Sequence, residues 1–231
     1  MVGGSVVAVI GPSGCGKSTL LALCAGLVRP SVGEITWGDL PELESHGRRR
    51  LSLVFQADTL MPWLSVEKNI AFGLRYVRLT VRERRERIDM LLDLGGLSEF
   101  RTAYPRQLSG GMRRRVAFLT GVAPMPQVLL LDEPFSALDE PTRVDIHGAV
   151  LNIIRELGIT VVLVTHDLAE AISLGDVVHI LTMRPSRVAY SKPIPLGRER
   201  DVHSLRESEG FHKIYRELWH ELNVQAGKAK P

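Results

Sequence analysis

Residues Gly11, Pro12, Ser13, Gly14, Cys15, Gly16, Lys17, Ser18 and Thr19 fill every fixed position of the pattern G-x-x-x-x-G-K-[ST]. An apolar run, Val6 to Ile10, precedes them, and an apolar helical stretch, Leu20 to Val28, comes after. A strand that enters a helix through such a turn leaves few folds open. The glycines let backbone N–H groups curl around phosphate oxygens, and the helix N-terminus adds partial positive charge. The pattern predicts a nucleoside triphosphate site, with Lys17 on the outer phosphates and the Ser18 hydroxyl on Mg²⁺.

Further apolar runs bounded by turn residues lie at Val128–Leu131, Thr160–Val164 and Val177–Leu181. Near-continuous hydrophobicity suits parallel strands buried on both faces. Helical patterns lie between them. Thr80 and Glu83 have capping-box spacing ahead of Ile88, Leu91 and Leu92, and a helix is expected from about Pro141 to Leu157, stopped by Gly158. This alternation predicts an α/β domain around a mostly parallel sheet. Val66 to Met125 carries helical patterns without a clear buried strand and reads as an inserted helical subdomain. Near the C-terminus, Phe211, Ile214, Tyr215, Leu218, Trp219 and Leu222 share one helical stripe, expected to pack on the chain's own domain.

The 231 residues fit one large domain, and 45% hydrophobic with 24% charged residues is an ordinary globular composition. A formal net charge of +3 is too mild to imply a nucleic-acid partner, and none is expected. Cys15 and Cys24 read as reduced thiols. The uncharged run Val116 to Leu131 is broken by Gly121, Pro124 and Pro126, so it reads as helix, turn and strand rather than a membrane span.

Two more motifs carry chemistry. In Leu129 to Pro134 an apolar strand ends in adjacent carboxylates. Asp132 is placed to hold the Mg²⁺ shell near Ser18, and Glu133 to polarise an attacking water. In Leu108 to Met112, Ser109, Gly110 and Gly111 precede a helix and form a second anion-binding N-terminus. Two such helix ends in one chain suggest that each nucleotide is gripped by both, and hence by two copies. The arginines at 113–115 read mostly as a solvated helix face.

With these residues in place, the chain resembles the nucleotide-binding subunit of an ATP-binding-cassette (ABC) transporter, a P-loop NTPase fold. GPSGCGKST resembles Walker A, LSGGM the signature, LLLDEP Walker B, and Ser136 to Asp139 the D-loop. His166, in Val164 to Asp167, matches the switch histidine, and Gln56 the Q-loop glutamine. The resemblance implies two cassettes sandwiching two ATP, each on one Walker A and the other copy's Ser109–Gly111. Glu133 is then the general base, His166 touches the γ-phosphate, and Asp139 lies at the dimer seam. Gln56, a contributor to the nucleotide and metal site, links it to the permease-facing subdomain. The cofactors implied are ATP and Mg²⁺. The implied partners are a second cassette, transmembrane permease subunits and, indirectly, an extracytoplasmic substrate-binding protein, which places the chain on the cytoplasmic face of the membrane.

The family division implies one domain over 1–231: a core at about 1–65 and 126–185, a helical subdomain at about 66–125, and an extension with an amphipathic helix at about 186–225. The segment around Gln56 and the tail from Phe211 are similar to importers of nitrate, taurine and aliphatic sulfonates. Two departures stand out. Thr120 and Gly121 interrupt a helix that is usually rich in alanine and arginine, and glycine there costs about 1 kcal/mol. The family also has antiparallel strands before Walker A and an aromatic that stacks on adenine. Only ten residues precede Gly11 and none is aromatic, so the N-terminal strands are expected to be truncated by a start assigned too late. Two other readings compete: a soluble ABC protein not coupled to transport, and a trimmed subunit with impaired hydrolysis.

Overall fold

The computed structural model describes residues 3–36, 51–57, 59–197 and 200–227. Part of the expected first core span, 37–50, lies outside the described residues. Among the described residues six strands form one sheet: β1 (Val6–Ile10), β2 (Leu51–Val54), β3 (Val128–Asp132), β4 (Thr160–Val164), β5 (Val177–Leu181) and β6 (Val188–Pro193). Their order is β2-β3-β4-β1-β5-β6; every neighbouring pair is parallel except β5 with β6. The α/β, mostly parallel architecture is therefore as the sequence implies.

Strand side chains alternate between faces, and both faces are covered. Val6, Ala8, Ile10, Leu129, Leu131, Val161 and Leu163 join the larger core cluster. Val9, Val128, Leu130, Val162 and Val164 join a smaller one with Cys15 and Leu21. This double burial is why the strands read as unbroken apolar runs rather than alternating ones.

The smaller cluster is covered by α1 (Lys17–Cys24). Between β2 and β3 the chain forms α2 (Val66–Gly73), α3 (Val81–Leu94) and α4 (Gly110–Val122), with short 3-10 turns between the last two. The α3 start is the capping box: Glu83 Oε2 accepts from the Thr80 N–H at 2.7 Å, and Thr80 Oγ1 accepts from the Glu83 N–H at 3.2 Å. Gly121 has a packing reason. A Cβ there would collide with Val54 Cγ2, so glycine lets α4 lie against β2. The closer packing offsets the helix penalty counted from sequence.

Beyond β3 come α5 (Glu140–Leu157), α6 (Leu168–Leu174), α7 (Val202–Glu207) and α8 (Glu209–Gln225). Gly158, with φ 62°, ends α5 as expected. In α8, Phe211, Ile214 and Leu218 are buried in the larger cluster, with Tyr215 and Leu222 packed beside them. Trp219 stays half-exposed, stacked on Tyr215 at 6.3 Å between ring centroids.

Two strands were not anticipated. β2 is only four residues long. β6 is an antiparallel edge strand carrying Lys192 and ending at Pro193, so it reads as loop by composition. Lys192 Nζ and Tyr190 Oη both donate to Glu217 of α8, which ties this edge to the C-terminal helix. The Tyr190 hydroxyl is pushed up to about 12, chiefly by its bond to Glu217.

Candidate functional site

The carboxyl ends of β1, β3 and β4 lie side by side because β1 and β3 both flank β4. Ligands in open α/β sheets bind at such an edge. Each of these strands hands its next residues to the site: Gly11–Thr19 after β1, Asp132 and Glu133 at the end of β3, and Thr165–Asp167 after β4.

In the first loop, Gly14 and Gly16 have φ 78° and 107°. Lys17 is buried, and its Nζ donates to Gly11 O at 2.8 Å and Pro12 O at 3.2 Å. Cys15 is buried beneath the loop, whereas Ser13, Gly14, Ser18 and Thr19 are exposed. Ser18 Oγ donates to Asp132 Oδ1 at 3.3 Å. Burial pushes the Asp132 carboxyl above the ordinary aspartate range. The Ser18 bond opposes this, the neighbouring Glu133 charge adds to it, and Lys17 opposes it.

Glu133 takes a left-handed backbone, φ 45°, which is costly for a residue with a side chain. Its N–H donates to Val164 O at 2.8 Å, locking the end of β3 to the end of β4. Glu133 Oε2 lies 2.9 Å from His166 Nδ1 and 3.4 Å from Gln56 Nε2. Gln56 Nε2 also donates to Ser136 Oγ at 3.2 Å. Ser18, Asp132, Glu133, His166 and Gln56 thus come together from four separate parts of the chain. The Glu133 carboxylate lies between the Gln56 amide and an imidazole that is 59% exposed, so the cluster opens to solvent.

Ser109, Gly110 and Gly111 lie elsewhere. Ser109 Oγ accepts from the Met112 N–H at 3.2 Å and caps α4. Their neighbours are Leu138 and Thr142 rather than the loop at 11–19. Asp139 caps α5, with Oδ2 accepting from Thr142 Oγ1 at 3.0 Å and Thr142 N at 3.4 Å. Those two bonds hold the Asp139 carboxyl below the usual range.

Sequence reasoning missed three groups. The arginine triplet is not a solvated face. Arg114 is buried and its Nη2 donates to the Gln56 carbonyl, Arg113 Nη1 donates to Leu108 O at 2.9 Å, and Arg115 Nη1 donates to Gly95 O at 3.2 Å. Arg143, on α5, pairs with Asp167 beside His166. Glu170 and His147 are buried behind the His166 loop, 3.6 Å apart, with Thr165 Oγ1 donating to Glu170. The only signal for Arg114 was its spacing on an otherwise apolar helix face.

Comparison with known proteins shows the family. Residues 1–136 match the family model described as ABC transporter. The aliphatic sulfonates import ATP-binding protein SsuB 1 of Xanthomonas axonopodis is 42% identical over 200 residues, covering 86% of this chain and 78% of that protein. The taurine import ATP-binding protein TauB of Ruegeria pomeroyi is 36% identical over 218 residues, covering 93% and 81%. An ABC transporter ATP-binding protein of Bacillus subtilis, YtlC, is 37% identical over 222 residues, covering 95% and 84%. Among solved structures, cbiO1 of Clostridium perfringens, part of the cbiONQ transporter complex, superposes with a TM-score of 0.76 at 28% identity, covering 95% and 89%. A dimeric cassette in a post-hydrolysis state, bound to ADP and Pi, gives 0.67 at 30% identity, covering 84% and 87%. The β1 loop, the carboxylates after β3 and these relatives lead to one conclusion: the chain belongs to the ABC transporter family, as an ATP-hydrolysing cassette.

Proposed function

We propose that this cassette powers an importer of a small solute, of the class that includes sulfonates, taurine and nitrate. The observation that carries the catalytic part is the 2.9 Å approach of His166 Nδ1 to Glu133 Oε2, beside the Ser18–Asp132 pair. The names of the sulfonate and taurine import relatives support the solute class.

In this reading ATP lies along residues 11–19, its phosphates on the backbone N–H groups at the start of α1 and on Lys17. Ser18, Asp132 and Gln56 offer the hard oxygen donors that suit Mg²⁺, and a carboxylate whose pKa is raised by burial and a like charge gains most from a cation. Bound there, the ion would neutralise charge on the phosphate oxygens. Glu133 takes a proton from water as the water oxygen bonds to the γ-phosphorus and the bond to ADP breaks. His166 holds Glu133 and reaches the γ-phosphate. Positioning and charge stabilisation supply most of the rate.

A second copy completes each site with its own Ser109–Gly111, and Asp139 sits at the seam. Residues 66–125 act as the subdomain that meets a permease. Phe55, Trp63, Phe72 and Tyr76, all exposed aromatics near Gln56 or on and after α2, are suited to that contact. No helix among the described residues is long and apolar enough to cross a membrane. By its resemblance to import ATP-binding subunits, the cassette would sit against the permease on the cytoplasmic face.

Replacing Glu133 by Gln tests the reading. ATP binding should persist while turnover stops. Unchanged hydrolysis by the permease-bound variant would refute the assigned base.

A further inference from the structure

Arg143 occupies a position the reaction scheme does not use. It lies one turn into α5, its side chain only 18% exposed. Nη2 donates to the carbonyl of Leu138 at 2.7 Å. Nη1 donates to Asp167 Oδ2 and lies 3.3 Å from Glu140 Oε2. A single guanidinium therefore holds the turn that ends at Asp139 and the loop that carries His166.

Both ends of that bridge are built for it. Asp167 Oδ1 accepts from the N–H groups of Ala169 at 2.8 Å and Glu170 at 3.1 Å, which leaves Oδ2 for the arginine. On the other side of His166, the Thr165 hydroxyl accepts from the Asp167 N–H at 3.0 Å and donates to buried Glu170. His166 is thus pinned from both flanks: the Thr165 flank leads through Glu170 to His147 within α5, and the Arg143 flank leads by a charged pair to the turn at Leu138–Asp139. The Leu138 side chain lies next to Gly110 at the start of α4, so the same turn also abuts the second anion-binding helix end.

We propose that Arg143 is a positioning residue that couples the turn at Leu138–Asp139 to the His166 loop, so that movement at the dimer seam is felt at Glu133. The inference rests on the assignment of His166 and Glu133 to hydrolysis. Arg143 touches neither. It acts through Asp167, and its planar fork reaches Asp167 and Leu138 from two different nitrogens, a fixed spread that the single nitrogen of a lysine ammonium does not match.

The test uses the full chain with Arg143→Ala, Arg143→Lys, Asp167→Asn and the double variant Arg143→Ala/Asp167→Asn, with His166→Ala as control. Arg143→Ala should lower kcat about ten- to hundredfold while affinity for a fluorescent ATP analogue stays within about threefold. Arg143→Lys should recover only part of kcat. The double variant should be no slower than the slower single one, because the two side chains act as one unit. Amide exchange should rise together at 136–140 and 165–170 in Arg143→Ala, a readout independent of turnover. A kcat within twofold of the parent, multiplicative losses in the double variant, nucleotide affinity falling in step with kcat, or exchange rising in one segment alone would each overturn the proposal. If Arg143→Ala does not fold, full activity in both Arg143→Lys and Asp167→Asn overturns it instead. An unaffected His166→Ala would sink the underlying catalytic assignment, whereas an inactive His166→Ala beside an active Arg143→Ala sinks only the coupling.

Discussion

The helices α1 and α4 both begin at glycine-rich turns, yet they are finished differently. At α1 the N-cap is Gly16, with φ 107° and no side-chain cap, and the loop is held from within by Lys17 on two carbonyls. At α4 the N-cap is Ser109, whose hydroxyl already accepts from Met112, and the turn is wedged against α5. The first end is shaped to receive phosphate on its own subunit. The second is a capped, well-packed helix start that, in the proposed function, meets a nucleotide held by another copy. Similar composition is therefore finished as an open loop at one helix start and as a capped, packed turn at the other.

The sharpest way to break this contrast is Lys17→Ala. Losing the charge-assisted bonds of Lys17 should weaken ATP binding by about 3 kcal/mol, roughly a hundredfold, in calorimetric titration of the isolated chain. Ser109→Ala should leave that same affinity within about threefold. Equal losses in the two variants would erase the distinction. Next in size is Gly111→Ala. A Cβ there would lie 2.5 Å from Thr142 Cγ2, and overpacking of this kind costs about 1–3 kcal/mol. The denaturant midpoint should drop at unchanged slope, and adding Thr142→Ser, which keeps the hydroxyl for Asp139, should restore most of it.

Smaller is the stability effect of Ser109→Ala itself, about 1 kcal/mol for a lost cap, with turnover lost only in the assembled dimer. Smallest at neutral pH is a prediction at a third helix start. Asp167 caps α6. Burial raises its pKa, but the Glu170 N–H and the Arg143 guanidinium outweigh this and hold it below the ordinary value. A depressed carboxylate contributes stability that is fully present above its unfolded pKa of about 3.9 and is lost as pH falls through the folded value. Arg143→Ala should therefore begin acid unfolding at a higher pH than the parent, monitored by circular dichroism between about pH 5 and 2. Identical acid limbs would show that the pair contributes nothing.

Much of this was legible in the residues. The parallel strands announced themselves because burial on both faces erases polar alternation, as in Val6–Ile10 and Val128–Leu131. The Thr80–Glu83 box and Gly158 fixed helix ends because they act within one turn of chain. Asp132 and Glu133 could be placed because a parallel strand delivers its last residues to the ligand-binding edge of the sheet. The edge strand β6 could not, since an edge needs no continuous hydrophobicity and tolerates Lys192 and Pro193. Arg114 and Arg143 were hidden for a different reason. Their acceptors are a carbonyl 58 residues away and a carboxylate 24 residues away, so only the assembled fold reveals that these charges are satisfied inside it.

Glu133 has a cost that its chemistry conceals. A left-handed backbone at a residue with a side chain is disfavoured by roughly 1–2 kcal/mol, whereas glycine adopts it freely. Selection on heat tolerance alone would accordingly drift toward glycine at this position and, if Glu133 is the base proposed above, deliver a sturdier cassette without turnover. Screens that score folding without turnover will reward the loss of the proposed catalytic base.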